Sequence, residues 1–150
     1  MLEIGKKAPA FTLEADTGEK VSLKDFLGQT VILYFYPKDM TSGCTQEACD
    51  FRDLFSQFKK KKAVILGVSK DSVASHQKFK SKYDLPFLLL SDPESTVCEL
   101  YGVWKEKSMY GRKYMGIERS TFVISPSGKI EAIYSKVKVK DHAEEVLGNF

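Results

Sequence analysis

The chain has 150 residues, 43% of them hydrophobic and 29% charged, enough for one globular domain spanning residues 1–150 around a single core and too few for a second. Its 23 basic and 20 acidic residues are interspersed and leave a net charge of +3, a balance too small and too mixed to point to nucleic acid. No run approaches the roughly 18 apolar residues of a membrane span, and residues 1–7 lack the apolar segment of a signal peptide, so a cytoplasmic protein without membrane attachment is expected.

Phe11-Thr12-Leu13 and Val21-Ser22-Leu23 flank the turn-forming Asp16-Thr17-Gly18, which predicts an N-terminal strand hairpin. Ser22 and Asp25 make a weak capping pair for a short helix stopped at Gly28. Val31-Ile32-Leu33-Tyr34-Phe35-Tyr36 is a continuous apolar run, as a strand buried on both faces requires, and Pro37 ends it. Over residues 45–62, Ala48, Phe51, Leu54, Phe55 and Phe58 recur at the helical period, and Lys59, Lys60, Lys61 and Lys62 gather at the carboxyl end, where lysines complement the helix dipole and stay solvated.

A strand is expected at 63–69, a helix capped by Asp71 or Ser72 and running to about Tyr83, a short strand at 87–90 and a short helix near 95–101. A long loop follows. Its Trp104, Met109, Tyr110, Tyr114 and Met115 read as cover for the core, with an apolar rim for a lipid peroxide or a partner as the other reading. Residues 120–124 and 130–134 around Ser125-Pro126-Ser127-Gly128 form a predicted hairpin, and a helix over 141–147 closes the chain. His76 and His142 fall on expected surface helices among charged neighbours, so both read as solvated. Strands alternating with helices predict an α/β three-layer sandwich with a central mixed sheet and an N-terminal strand hairpin, thioredoxin-like in order.

Cys44 and Cys49 hold the most chemical information. Cys44 follows Pro37, Thr41, Ser42 and Gly43, which sets its thiol at the first turn of a helix, where unpaired N–H groups and the helix dipole favour thiolate over thiol. Five helical residues separate two side chains by roughly 7.5 Å along the axis and roughly 140° around it. A disulfide needs Cα atoms within about 7 Å and converging Cβ vectors. A bond between the two cysteines therefore requires local unwinding, for which a helix's first turn is the cheapest place. Either cysteine could instead fill the core as a small apolar residue, and Cys98 reads as packing. A metal site is disfavoured, because the two histidines lie far from the cysteines in sequence and there is no Cys-x-x-Cys pair.

Pro37, Thr41 and Cys44 fit the Pro-x-x-x-Thr-x-x-Cys motif of the peroxiredoxins, and Gly43-Cys44-Thr45 with Cys49 resembles their bacterioferritin-comigratory, or Q-type, branch. Phe35-Tyr36-Pro37, Phe51-Arg52-Asp53, Leu90-Ser91-Asp92, Tyr101-Gly102-Val103-Trp104 and Gly116-Ile117-Glu118-Arg119-Ser120-Thr121-Phe122 resemble that branch in matching order, over nearly the whole chain. The resemblance implies a thioredoxin fold with Cys44 as peroxidatic thiol, Cys49 as resolving thiol, and Thr41 and Arg119 as the polar groups around the reacting oxygens. Pro37 would shape and shield the loop. Glu47 would orient Arg119 or Arg52, or would only favour the helix start.

The implied reaction is reduction of hydrogen peroxide and organic hydroperoxides through a sulfenic acid and an intramolecular disulfide, recycled by thioredoxin, in a monomer that needs no metal or other cofactor. That branch often carries a proline where this chain has Ser42. A thiol-disulfide oxidoreductase and a noncatalytic thioredoxin-like holdase module are the competing readings.

Overall fold

The computed structural model describes residues 2–150. In chain order, β1 (Thr12–Ala15) and β2 (Lys20–Ser22) lead through a 3-10 turn (Leu23–Phe26) into β3 (Thr30–Phe35), α1 (Ser42–Asp53) and α2 (Phe55–Lys60). Then come β4 (Ala63–Ser69), α3 (Val73–Tyr83), β5 (Leu88–Ser91) and α4 (Thr96–Leu100). The chain finishes with β6 (Trp104–Met109), β7 (Arg112–Ile117), β8 (Ser120–Ile124), β9 (Ile130–Tyr134) and α5 (His142–Gly148).

Seven strands form one sheet in the order β2-β1-β5-β4-β3-β8-β9. β3, β4 and β5 run parallel, while β8 pairs antiparallel with β3 and with β9, and β1 pairs antiparallel with β5 and with β2, so the sheet is mixed. All six residues of β3 are buried, as its unbroken apolar run demands of a strand covered on both faces. Alternation along the strand divides the core in two. Val31, Leu33 and Phe35 pack with Leu66, Val68, Phe122, Cys98 and Tyr101 on one face, where α4 lies. Ile32, Tyr34 and Tyr36 pack with Ala48, Phe51, Phe58, Phe79 and Val146 on the other, beneath α1, α2, α3 and α5. Aromatic side chains fill this second layer: Tyr34 stacks on Phe51 at 4.9 Å between centroids. Its ring also covers Gly67 on the adjacent strand, where an added Cβ would meet Tyr34 Cζ at 2.9 Å.

Four expectations need correction. The helix expected over 45–62 begins three residues earlier, at Ser42, and breaks at Leu54 (φ −100°, ψ 3°), giving α1 and α2. The long loop after α4 is a hairpin, β6 paired with β7 in its own two-stranded sheet. Tyr110 (φ 52°) and Gly111 (φ 78°) turn it in the left-handed region that two-residue hairpin loops use. Core cover is true of Trp104, whose ring packs against the first core layer, whereas Met109, Tyr110, Tyr114 and Met115 are exposed. Finally, His76 and His142 are not solvated. Both are buried, because each faces inward to a polar partner: His142 Nε2 lies 2.8 Å from Thr121 Oγ1, and His76 has partners on both ring nitrogens. Among the described residues, no helix is long and apolar enough to cross a membrane.

Candidate active site

The strand-to-helix connection after β3 fixes the geometry. Met40 turns the chain with φ 67°, Thr41 returns to extended backbone (φ −79°, ψ 154°) as the N-cap, and Ser42, Gly43 and Cys44 form the first turn of α1. The N–H groups of that turn have no carbonyl one turn back to bond. Thr45 is the first residue of the helix to find one, at Thr41 O, 2.9 Å away. Cys44 is therefore the third helical residue, with its side chain 2% exposed against the second core layer.

Arg119 reaches this turn through sheet register. β8 pairs antiparallel with β3 so that Ser120 lies opposite Phe35, which delivers the residue just before Ser120 to the end of β3, where α1 starts. Arg119 is largely buried there, with 16% of its side chain accessible. Its Nη2 donates to Cys44 Sγ at 3.3 Å and its Nη1 donates to Glu47 Oε1 at 2.6 Å. Cys44 and Glu47 are three residues apart on α1 and so share a helix face, and one guanidinium spans both acceptors. Arg52 does not join this group: its Nη1 donates to the carbonyl of Tyr83.

Glu47 is 1% exposed. Burial pushes its carboxyl from an ordinary value near 4.5 up to about 7, outweighing the opposing pull of Arg119. Oε1 holds the hydrogen bond, and the buried Oε2 has no partner among the described residues.

Thr41 Oγ1 donates its hydrogen to the carbonyl of Lys38 at 2.8 Å, so the hydroxyl faces the loop backbone and keeps its lone pairs as acceptors. Pro37 is half-buried at the end of β3. Cys49 lies on the same unbroken helix as Cys44, and all three cysteines are free. Burial pushes the Cys49 thiol up; Arg52 opposes this, and Asp53 and Asp50 add to it. Cys98 is buried in the opposite core layer, and burial together with Asp92 pushes its thiol far up. That combination makes it inert.

Two contributors take roles that the sequence reading did not give them. Gly43 admits the guanidinium, since a Cβ there would lie 3.3 Å from Arg119 Nη2. Lys107 on β6 lays its aliphatic stem over Gly116, and burial and Arg119 pull its ammonium pKa down while Cys44 and Glu118 oppose them. The sequence singles out the glycine by its place beside Cys44, without the packing against Arg119. It does not single out the lysine, because the hairpin carrying it was expected to be a loop.

Comparison with known proteins identifies the family. Residues 4–133 match the AhpC/TSA family. The chain is 59% identical to a putative peroxiredoxin Bcp of Coxiella burnetii over 147 residues, 98% of this chain and 97% of that protein. It is 56% identical to peroxiredoxin Bcp of Bacillus subtilis, over 97% of this chain and 93% of that one. The bacterioferritin comigratory protein of Xanthomonas campestris, whose structure was studied for alkyl peroxide reduction, superposes with a TM-score of 0.91 at 43% identity, covering 97% of this chain and 96% of its own. A mixed sheet with helices on both faces, a thiol at a helix start and relatives of this similarity over nearly full length lead to one assignment: the chain belongs to the AhpC/TSA family and is a peroxiredoxin of the Bcp, or Q-type, branch.

Proposed function

We propose that Cys44 is the peroxidatic thiol of a thiol peroxidase that reduces hydrogen peroxide and organic hydroperoxides, and that Cys49 resolves it. The observation that carries this reading is the 3.3 Å hydrogen bond from Arg119 Nη2 to Cys44 Sγ at the open first turn of α1. A guanidinium stays charged at working pH, so it holds negative charge on sulfur and then follows that charge as it moves onto the peroxide. The thiolate attacks the terminal peroxide oxygen and an S–O bond forms. The O–O bond breaks, and the departing oxygen takes up a proton to leave as water or an alcohol.

Thr41, whose hydrogen is committed to Lys38, accepts the peroxide O–H and so orients the molecule for in-line attack. Pro37 closes the loop over the sulfur. The first turns of α1 then unwind, Cys49 attacks the sulfenic acid, an S–S bond forms and the sulfenic oxygen leaves as water. Unwinding also frees Cys49 from the burial that holds its thiol up, so the resolving nucleophile is activated by the motion that brings it into range.

Two electrons from a dithiol donor, which we take to be thioredoxin, reduce the bridge. Resolution within one chain needs no second subunit, and we take the protein to act in the cytoplasm as a monomer and as one domain over residues 1–150. Stopped-flow mixing of the reduced protein with hydrogen peroxide tests the assignment. Cys44→Ser should abolish fast thiol loss. One equivalent of peroxide should give a 44–49 bridge by mass spectrometry, and Cys49→Ser should stop at a sulfenic acid that dimedone traps. Thiol loss that persists in Cys44→Ser, or a bridge to Cys98, overturns it.

A further inference from the structure

Behind the Cys44 loop lies a buried polar cluster that the reaction above does not use. Asp39, midway between β3 and α1, is 5% exposed and His76 on α3 is fully buried. His76 Nδ1 lies 2.7 Å from Asp39 Oδ2, and its Nε2 lies 3.0 Å from the carbonyl of Leu90 on β5. A carbonyl oxygen only accepts, so Nε2 carries a hydrogen. A lone pair on Nδ1 facing a carboxylate at 2.7 Å would be repulsive, so a second hydrogen lies between Nδ1 and Oδ2.

Further donors converge on the same carboxylates. Tyr36 Oη donates to Asp39 Oδ1 at 2.6 Å and Ser75 Oγ donates to Oδ2 at 2.8 Å. The Asp39 N–H donates to Asp71 Oδ2, which accepts from Ser69 Oγ as well. Ligand atoms of Asp39, Asp71 and His76 lie within 4.8 Å of one another, and the donors from Tyr36, Ser69, Ser75 and the Asp39 N–H join them into a hydrogen-bonded lock. The lock joins the loop to the ends of β3 and β4, the start of α3 and β5.

We propose that His76, acting through Asp39, is a positioning residue for the peroxidatic loop: the shared proton fixes residues 37–41, and with them the first turn of α1 and Cys44, against Arg119. Asp39 stands five residues before Cys44, so this lock sets the upstream limit of the unwinding that disulfide formation requires. Pro37 and Thr41 keep their places while the helix beyond them frays. The inference rests on Cys44 as the peroxidatic thiol, and its test is chosen to fail separately from that reading.

Amide replacements divide the two hydrogen bonds of His76. His76→Asn places a donor near the Nδ1 position and keeps the link to Asp39; His76→Gln places one near Nε2 and keeps only the link to Leu90. Hydrogen exchange of the 38–45 amides reads the loop directly, with or without peroxide chemistry. In His76→Gln we expect exchange there to rise about tenfold or more while the amides of β3 and β4 stay protected. The rate of Cys44 oxidation by peroxide should fall about tenfold or more, since misplacement of about 1 Å is enough to do so. His76→Asn should restore both toward the parent. Tyr36→Phe, which removes only the donor to Asp39 Oδ1, should give a smaller change in the same direction. The inference is overturned if exchange at 38–45 in His76→Gln equals the parent's, or if the Asn and Gln variants fall together in rate and melting temperature, as loss of packing alone would produce. Peroxide consumption surviving in Cys44→Ser would instead sink the assignment of Cys44 and leave the exchange result standing.

Discussion

Gly43 and Arg119 are in close apposition: the hydrogen on the Gly43 Cα occupies the place from which a methyl carbon would press on Nη2 at 3.3 Å. Glycine at a helix's second residue is costly to the helix, so the position is better explained by what stands against it.

Gly43→Ala separates these effects. Alanine favours the helix by up to about 1 kcal/mol, so stability should hold or rise, while the guanidinium is pushed off Cys44 by a few tenths of an ångström and peroxide oxidation slows about tenfold. Urea unfolding and stopped-flow oxidation on the same preparation check both halves. A variant that is both as stable and as fast as its parent would remove Gly43 from the site.

Glu47 gives stability a distinctive pH dependence. Its carboxyl rises from about 4.5 to about 7 on folding, so the folded state holds its proton more tightly than the unfolded chain. Its contribution is fully present below pH 4.5 and is lost as pH climbs to about 7, a change of at most about 3 kcal/mol. Glu47→Gln keeps an acceptor for Arg119 and does not ionise, so the difference between parent and variant unfolding free energies should vary across pH 4.5–7 and level off above. Parallel profiles would mean that Glu47 is ionised throughout, as a plain ion pair with Arg119.

Ser42 is the first residue of α1, and Thr41 before it already has the extended backbone that precedes a proline. Ser42→Pro should therefore stabilise the protein by about 0.4–1 kcal/mol, raising Tm by about 1–4 °C for a chain of this size. Rapid-quench mass spectrometry should show the 44–49 bridge forming several-fold more slowly, with Cys44 oxidation unchanged. Equal bridging rates in the two proteins would show that fraying at Ser42 does not limit the step.

What the sequence made legible was whatever depends on short-range pattern. The six-residue apolar run of β3, the helical spacing of Ala48, Phe51 and Phe58, and the Pro37, Thr41 and Cys44 spacing each led to the right element. Proximity was another matter. Arg119 meets Cys44 only because β8 pairs with β3 in one register, and nothing within either segment encodes that distance. The hairpin of β6 and β7 was missed because its strands are largely exposed and its turn is Tyr110-Gly111, outside the usual Asn-Gly and Asp-Gly signals. His76 was read as solvated because its helix is rich in lysine and serine. A single inward-facing imidazole leaves no periodic trace when its partners, Asp39 and the Leu90 carbonyl, come from distant parts of the chain.

The interruption at Leu54 has a mechanical meaning for the oxidised enzyme. α2 is a separate segment whose Phe58 stacks on Phe150 at 5.9 Å, so on the proposed cycle an unwinding at the start of the 12-residue α1 would not be carried along one rigid rod to the far edge of the domain. The break would act as a joint. On the proposed cycle, in which only the first turns of α1 unwind, a reductant would meet the bridged form at a remodelled patch confined to that helix and would distinguish spent from ready enzyme there.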